Sequence, residues 1–350
     1  MSGQFRQSLS AGLLIPAHPL ALAADGRFDE RHQRALTRYY AAAGAGGLAV
    51  GVHTTQFAIR DPGIGLFEPV LALAREEMDR ADRGQLLPLV RIAGVCGATD
   101  QALAEASLAA GLGYHAGLLS LAALADADDE ALIAHCRRVS EVIPLVGFYL
   151  QPAVGGRPLG YAFWRRFAEI PGVVAIKIAP FNRYQTLDVV RAVADAGRDD
   201  IALYTGNDDH IVGDLVTPYR VATADGIAER RIVGGLLGHW AVWTERAAAV
   251  LAECQAAARA QQVPAALLGT GVAITDCNAA VFDAANAFGG CIAGIHAVLH
   301  RQGLLASTRT LAGETLGPGQ ADALDRVRAA YPRLIDDDFV AEHKDQWLRP

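Results

Sequence analysis

Eight short apolar runs, each followed by a longer amphipathic stretch, constrain the fold of this 350-residue chain more than any other feature. The runs are continuous rather than alternating, which is typical of parallel strands buried on both faces. They lie at 12–17, 47–52, 86–91, 114–118, 144–150, 173–178, 201–205 and 231–237. Helical patterns fill the segments between them, at 29–43, 67–80, 100–110, 129–142, 160–170, 184–196 and 208–218.

Eight such units within about 240 residues predict a (β/α)8 TIM barrel. A doubly wound open sheet is the rival fold, but no G-x-G-x-x-G motif follows the first strand, so the sequence gives no support for a dinucleotide site. Beyond residue 237 the pattern is helical, over 243–261, 278–299 and 320–330. We therefore expect a barrel over residues 10–240 and a C-terminal helical region over 241–350 that packs on the barrel.

Charge and cysteine usage narrow the class of protein. The chain has a formal net charge of −7 and no basic stripe, which argues against a nucleic-acid partner. No apolar segment reaches the ~18 residues of a membrane span, and no signal-peptide pattern is present. The five cysteines are scattered without a C-x-x-C pair, which predicts free thiols in a reducing cytoplasm.

Lysine is nearly absent, because 29 of the 31 basic residues are arginine. One of the two lysines, Lys177, interrupts the apolar strand at 173–178. Burial lowers the pKa of a lysine, and a neutral amine can attack a carbonyl, which arginine cannot do. Lys177 is therefore the candidate catalytic nucleophile, and a lysine paired with a buried carboxylate is the alternative. Lys344 lies in a polar tail and is expected to be solvated.

Tyr149 ends the strand that precedes the Lys177 strand. The ends of neighbouring parallel strands lie close together, so its phenol could transfer protons at an imine on Lys177. An ordinary core tyrosine with a satisfied hydroxyl is the alternative.

Five short motifs occur in a characteristic order: Gly12-x-x-x-Pro-Ala17 with Asp25-Gly26, Gly44-Ala-Gly-Gly-Leu48, Tyr149-x-x-Pro152, Ile176-Lys177 and Leu203-Tyr-x-Gly-x-Asp-Asp209. In this order, over residues 12–300, they resemble the dihydrodipicolinate synthase/N-acetylneuraminate lyase family. The resemblance implies a class I, Schiff-base aldolase on a (β/α)8 barrel, without a cofactor. It also implies a homo-oligomer, either a dimer or a tetramer.

The resemblance implies roles at the reaction centre. Lys177 resembles the imine-forming lysine of the family, and Tyr149 resembles its proton-relay tyrosine. Gly206 resembles a glycine that lines the site after the seventh strand. Leu237 aligns with a residue whose backbone carbonyl faces the bound 2-oxo acid.

The loop after the second strand departs from the family. The usual Gly-Thr-Thr-Gly-Glu segment binds the carboxylate of the 2-oxo acid, but this chain has Gly51-Val-His-Thr-Thr-Gln-Phe57. Alignment on Gly51 replaces the two threonines, and a shift of two residues restores them as Thr54 and Thr55. His53, Thr54 and Thr55 are therefore the candidate carboxylate-binding residues. His53 either supplies positive charge or is a buried neutral imidazole.

The acidic residues after the seventh strand are candidates for the distal part of the substrate. Asp208 and Asp209 align with acidic positions that bind substrate hydroxyls in the sialate-lyase branch. The run Asp208-Asp209-His210 could also suggest a metal-dependent aldolase. Adjacent positions rarely converge on one ion, and the chain has no His-x-His or His-Glu-x-x-His motif, so we predict no metal site.

Two further departures concern the synthase branch. Val154 occupies the position of an arginine that holds the carboxylate of the second substrate, and the nearest arginine is Arg157. The strand-four tyrosine of the synthase relay is absent from 118–124.

The preferred function is a cytoplasmic Schiff-base lyase, an aldolase or dehydratase, acting on a 2-oxo acid such as pyruvate. The synthase reaction proper and a non-catalytic small-molecule binder on the same scaffold are the alternatives.

Overall fold

The computed structural model describes residues 2–350, and its central feature is a cylinder of eight parallel strands. The eight barrel strands are β1 (Leu14–Pro16), β2 (Gly47–Val50), β3 (Val90–Val95), β4 (Ala116–Leu119), β5 (Leu145–Leu150), β6 (Val173–Ala179), β7 (Ala202–Thr205) and β10 (Ile232–Leu237). Two further strands, β8 (Tyr219–Thr223) and β9 (Gly226–Arg230), form a separate two-stranded sheet. The order around the sheet is β1-β10-β7-β6-β5-β4-β3-β2, and a parallel bridge between Ala17 and Ala49 closes it. The predicted (β/α)8 barrel is confirmed.

Thirteen α-helices lie within the described residues, eight of them before the last barrel strand. They are α1 (Ser2–Ala11), α2 (Glu30–Ala42), α3 (Phe67–Ala81), α4 (Thr99–Gly111), α5 (Asp129–Ser140), α6 (Tyr161–Ala168), α7 (Arg183–Asp195), α8 (Ile211–Val216), α9 (Thr244–Ala260), α10 (Ala265–Val281), α11 (Cys291–Gln302), α12 (Gln320–Ala330) and α13 (Asp337–Trp347). Helix α2 begins after Asp29, whose carboxylate accepts the N–H of His32 at 3.1 Å.

Two apolar layers separate the inside of the barrel from the helices outside it. Successive residues of a strand point to opposite faces, so each strand feeds both layers. On β5, Phe148 belongs to the inner layer and Tyr149 to the outer one. The outer layer continues into buried side chains of α9, α10 and α11, so the C-terminal helices pack on the barrel. The predicted division at residues 240 and 241 stays a prediction.

Helix α1 closes the end of the barrel where the strands begin. Its Phe5 and Leu9 side chains belong to the inner apolar layer. The hydroxyl of Tyr204, on β7, donates to the Leu9 carbonyl at 2.8 Å and accepts the N–H of Leu13 at 3.1 Å. This helix was not among those predicted from the sequence.

Several predicted elements differ from the observed ones. The third strand begins at Val90 rather than at residue 86, because Leu86 and Leu87 lie in an exposed loop. The antiparallel hairpin β8–β9, largely exposed outside the barrel, was not predicted. The helix predicted over 278–299 is interrupted between α10 and α11, where Asp283 and two further non-glycine residues adopt left-handed backbone conformations.

Candidate active site

A cavity of about 570 Å³, counting its open mouth, lies where the barrel strands end. Barrel active sites occupy this face, because the loops that follow the strands converge there. Five of the nine predicted site residues line the cavity: His53, Thr54, Lys177, Gly206 and Asp208.

Lys177 lies on β6 with its side chain inside the barrel. The residue is only 8% exposed, and its Nζ lies 4.4 Å from the centre of the Phe148 ring on the neighbouring strand. Among the described residues, no carboxylate oxygen lies within the 4.0 Å of an ion pair with this amine. Burial lowers the pKa of Lys177 to about 8, and the charge of Asp208 opposes this shift. At pH 7 roughly a tenth of the amine is therefore unprotonated, far more than for a lysine with the ordinary pKa.

Gly206 makes room for the lysine side chain. A Cβ atom added there would lie 2.7 Å from Lys177 Cε and 2.7 Å from the Ala179 Cβ. The backbone N–H of Gly206 donates to the Ile178 carbonyl at 2.7 Å, which fixes this approach. A larger residue at this position would force the Lys177 side chain or Ala179 to shift.

Asp208 is the buried carboxyl group that faces Lys177 across the cavity. Its Oδ1 accepts the backbone N–H of His239 at 3.1 Å, and its backbone carbonyl accepts from Asn278 Nδ2 at 2.6 Å. Burial raises the pKa of Asp208 to about 7, although the His239 N–H and the charge of Lys177 act against the shift. The carboxyl group can therefore exchange a proton near neutral pH.

The loop after β2 forms a short 3-10 turn over His53–Thr55, and its three side chains have different environments. His53 and Thr54 line the cavity. Thr55 is fully buried beneath the turn: its Oγ1 accepts the N–H of Gly51 at 2.9 Å and donates to the His18 carbonyl at 2.6 Å. Burial first, and the charge of Lys177 second, lower the pKa of His53 to about 4. The imidazole is therefore neutral at pH 7.

Tyr149 does not reach the cavity. It pairs in register with Ile178, whereas Phe148 pairs with Lys177. The Tyr149 ring packs 5.3 Å from Trp164, and its hydroxyl accepts the N–H of Leu159 at 3.1 Å. Its proton-relay role thus has no geometric support, because the residue faces the helices on the outside of the sheet.

Two other predicted residues also lie outside the cavity. Asp209 is exposed, and its backbone carbonyl accepts from Thr275 Oγ1 at 2.9 Å. The side chain of Leu237 is buried in the outer apolar layer, and its carbonyl accepts the N–H of Ala17 at 3.2 Å.

Most of the cavity wall was not predicted from the sequence. The residues concerned are the apolar or weakly polar Phe148, Phe181, Phe282, Phe288 and Cys291, and the polar Gln151. Three of them come from the segment around the α10–α11 break, where the pair Gly289-Gly290 was the only available signal. Their contribution means that the C-terminal region completes the cavity.

Other expectations concern metals, thiols and membranes. Within residues 2–350, no group of three or more His, Cys, Asp or Glu side chains is arranged to hold a metal ion. The five cysteines are free thiols. None of the helices in the described part of the chain has both the length and the apolar character needed to cross a membrane.

Comparisons with known proteins come from sequence and from structure. No family model matches the chain. The 4-hydroxy-tetrahydrodipicolinate synthase of Thiobacillus denitrificans is 30% identical over 186 residues, which are 53% of this chain and 58% of that protein. The matched segment therefore spans little more than half of the curated relative.

Solved structures match over nearly the whole chain. The chloride-inhibited dihydrodipicolinate synthase from Acinetobacter baumannii, complexed with pyruvate, superposes with a TM-score of 0.71 at 18% identity, covering 93% of this chain and 99% of that one. CdNal from Clostridium difficile, in complex with mannosamine, gives a TM-score of 0.71 at 14% identity, with coverage of 91% and 99%.

Fold and site together define a (β/α)8 barrel with a buried lysine in the cavity at the strand ends. The comparisons confirm the resemblance that the motifs indicated. Over about half of its length the chain is similar in sequence to a 4-hydroxy-tetrahydrodipicolinate synthase, and over nearly all of it the chain shares the fold of the solved dihydrodipicolinate synthase and CdNal structures.

Proposed function

We propose that the protein is a class I lyase that forms a Schiff base between Lys177 and a 2-oxo acid such as pyruvate. The observation that carries this proposal is the buried Lys177 amine, which lines the cavity without an ion-pair partner and has a lowered pKa. A lysine kept for structure alone would be paired with a carboxylate. An unpaired and partly neutral amine is suited to nucleophilic attack.

In the proposed reaction, the Lys177 nitrogen attacks the C2 carbonyl of the 2-oxo acid and water leaves. The resulting protonated imine withdraws electrons from C3, so a C3 proton can be removed to give an enamine. The enamine carbon then forms a bond to an acceptor carbonyl, or the reverse cleavage releases that carbonyl. Elimination of a hydroxyl group β to the imine is the dehydratase variant of the same chemistry.

The carboxylate of the 2-oxo acid would lie against the 3-10 turn that follows β2. Thr54 and His53 line the cavity there, and a ring N–H of His53 could donate a hydrogen bond. The Thr54 hydroxyl donates to the His18 carbonyl at 3.4 Å and would have to turn from it to reach the carboxylate. Since the His53 imidazole is neutral at pH 7, it would contribute a hydrogen bond and no charge. Thr55 would act indirectly, because its hydroxyl holds the turn in place.

Asp208 is the group best suited to transfer protons in this cavity. Its carboxyl group is buried beside Lys177 and has a pKa raised to about 7. A general acid or base is most effective when its pKa lies near the working pH. Asp208 would therefore take the place that the resemblance gives to Tyr149, whose hydroxyl is bonded to the Leu159 N–H outside the cavity.

The synthase reaction proper is less well supported than a related lyase. Val154 lines the cavity at the position where the synthase branch carries its substrate-binding arginine. Arg157 is engaged elsewhere: its Nη1 donates to the carbonyls of Leu124 and Ala127 at 2.7 and 2.8 Å.

We also propose that the protein is a homo-oligomer, either a dimer or a tetramer, and that it is located in the cytoplasm.

Borohydride trapping tests the proposal directly. The protein is incubated with pyruvate, reduced and digested, and the mass of the Lys177 peptide is measured. We expect a stable adduct on Lys177, and none in Lys177→Arg, because a guanidinium cannot form the imine. Lys344→Arg is the matched control and should trap pyruvate normally. A wild-type protein that forms no adduct with pyruvate or with a panel of 2-oxo acids would refute the Schiff-base mechanism.

A further inference from the structure

The outer part of the cavity is built from aromatic side chains on loops beyond the strand ends. Phe181 follows β6 by two residues, and Phe282 and Phe288 lie in the segment between α10 and α11. Val154, in the loop after β5, adds a fourth apolar surface. The two charged side chains, Lys177 and Asp208, come instead from β6 and from the loop after β7. The other loops thus contribute a largely apolar wall, in which Gln151 is a polar member.

Two of the phenylalanines meet although they are distant in sequence. The rings of Phe181 and Phe288 lie 5.9 Å apart at an angle of 76°, an edge-to-face contact. Both residues have left-handed backbone conformations, with φ of 53° and 66°. Such conformations are costly for bulky residues and persist only where the surroundings hold them.

A buried hydrogen-bond network holds Phe181 in this conformation. Its N–H donates to Asn207 Oδ1 at 3.0 Å. The Asn207 amide in turn donates to Asp214 Oδ2 at 2.9 Å and to Thr186 Oγ1 at 3.2 Å. The ring is therefore positioned by fully buried groups rather than by the loop alone.

Phe288 is held by a second, separate set of bonds. Its N–H donates to the Asp283 carbonyl at 3.0 Å. The Asp283 side chain accepts the Gly290 N–H at 3.1 Å and the Asn286 amide at 2.5 Å. Two independent networks thus present two aromatic rings to the same cavity.

Charge in the cavity is limited to the reaction centre. Among residues 2–350, the charged side chains that line it are Lys177 and Asp208, and no arginine lines it. In the proposed reaction Lys177 is bound to the 2-oxo acid and Asp208 transfers protons. A carboxylate or phosphate on the acceptor would then be desolvated without a cation to pair with it, at a cost of several kcal/mol.

The geometry points to an uncharged aromatic aldehyde as the acceptor, with its ring packed against Phe181 and Phe288. This inference rests on the proposed function and specifies the substrate class of the same site. The enamine carbon bonds to the aldehyde carbon, and the aldehyde oxygen takes a proton from Asp208. Hydrolysis of the imine by water then releases a 4-hydroxy-2-oxo acid and restores the Lys177 amine.

An aldehyde panel with pyruvate as donor tests the inference. Benzaldehyde is compared with 4-carboxybenzaldehyde, which carries the same ring and one charge, and with glyceraldehyde, which is polar and has no ring. Product formation is followed by chromatography and expressed as kcat/KM. We expect benzaldehyde to exceed the other two by about tenfold or more, since the ring buries apolar surface and the charge has no partner.

The variant Phe288→Ala connects the preference to the cavity wall. We expect it to lower kcat/KM for benzaldehyde by about tenfold or more, mainly through KM. The extent of pyruvate trapping on Lys177, measured in the same variant, separates this loss from damage to the donor site. Phe339→Ala is the control, because Phe339 is also half-buried and packs on Tyr39 and Trp347, away from the cavity. Phe181→Leu is the second variant and should show a smaller loss.

The outcomes separate the two proposals. Trapping of pyruvate with a preference for benzaldehyde that Phe288→Ala removes would support the inference. Trapping with a preference for the charged or hydroxylated aldehyde would overturn the inference and leave the proposed function standing. Trapping with a benzaldehyde rate unaffected by both variants would also overturn it. Failure to trap any 2-oxo acid would overturn both.

Discussion

Two buried carboxyl groups, Glu77 and Asp208, differ in the partners that surround them. The Glu77 side chain on α3 is 1% exposed and lies among three guanidinium groups. Its oxygens accept from Arg34 at 2.8 Å, from Arg38 at 2.8 and 3.1 Å and from Arg80 at 2.8 Å. Asp208 is also buried, at 8% exposed, but among the described residues its carboxyl group accepts a hydrogen bond from the His239 backbone N–H and from no guanidinium group.

The pKa values of the two groups move in opposite directions. Burial raises the pKa of both, yet the bonds and charges of the arginines outweigh it at Glu77 and leave its pKa below the usual value. At Asp208 burial dominates, and the pKa rises. The hydrogen bonds and charges of its neighbours, set against burial, therefore decide in which direction the pKa of a buried carboxyl group moves. Three substitutions test this contrast.

The largest effect is expected at Asp208. Asp208→Asn removes the proton-transferring group, so we expect turnover to fall by about 10²–10⁴-fold, whereas borohydride still traps pyruvate on Lys177. Steady-state kinetics and peptide mass spectrometry measure the two quantities. Asp209→Asn is the matched control, since Asp209 is exposed outside the cavity. Undiminished turnover in Asp208→Asn would remove Asp208 from the mechanism.

The same substitution has a second readout in stability. Because the pKa of Asp208 is raised in the folded state, the folded protein binds more protons than the unfolded one between about pH 4 and pH 7. This group therefore lowers the free energy of unfolding as pH rises through that range. Asp208→Asn should remove this decrease, which makes the variant more stable relative to the wild type at pH 8 than at pH 4.

At Glu77 we expect an effect on stability alone. Glu77→Gln leaves three guanidinium groups without their shared carboxylate. We expect the free energy of unfolding to fall by about 2 kcal/mol at pH 7, which is less than for a fully buried ion pair because the arginines are partly exposed. Urea denaturation measures the change. Turnover per folded molecule should be unaffected. The control is Glu76→Gln, which removes a single, half-exposed contact with Arg34.

The pH dependence at Glu77 has the opposite sign to that at Asp208. The folded-state pKa of Glu77 is lowered, so its stabilising contribution is present above the ordinary glutamate value of 4.5 and is lost as pH falls below it. The difference in the free energy of unfolding between wild type and Glu77→Gln should become smaller as the pH falls from 6 to 3. A difference that stays constant over this range would show that the charge of Glu77 is not what stabilises the fold.

The smallest effect is expected at Tyr149, which the motif resemblance places in the reaction. Tyr149→Phe removes the acceptor for the Leu159 N–H, and we expect a loss of about 1 kcal/mol in the free energy of unfolding. Turnover should not change, because the ring faces Trp164 outside the barrel. Chemical denaturation and steady-state kinetics measure these quantities. A strong loss of turnover in a folded variant would restore the tyrosine as the proton relay.

Tyr149 also shows where the sequence ceases to be informative. The barrel and Lys177 could be predicted, because the number and spacing of apolar runs specify the fold and a lysine within such a run stands out. Both faces of a parallel strand are apolar, so nothing in Gly147-Phe-Tyr-Leu150 indicates which ring points inward. The register of β5 against β6, which assigns Phe148 to the inside, is a tertiary property.

The aromatic wall could not be predicted for a different reason. Phe181 and Phe288 are 107 positions apart in the sequence and meet only because the segment between α10 and α11 leaves the helical path. Left-handed conformations at Asp283, Ala287 and Phe288 cause this departure from the helix, and the residue types at these positions do not predict such conformations. The helix predicted over 278–299 was therefore wrong, and the residues that it misplaced are the ones that complete the cavity.

Helix α1 has a kinetic consequence for the proposed reaction. With Phe5 and Leu9 filling the opposite end of the barrel, molecules reach Lys177 through the mouth at the strand ends alone. In the proposed reaction the 2-oxo acid would bond to Lys177 and the inferred acceptor would lie nearer the mouth, so the two substrates would have to enter in that order. An acceptor that arrives first obstructs the donor. The enzyme should therefore follow an ordered mechanism in which excess aldehyde competes with the 2-oxo acid.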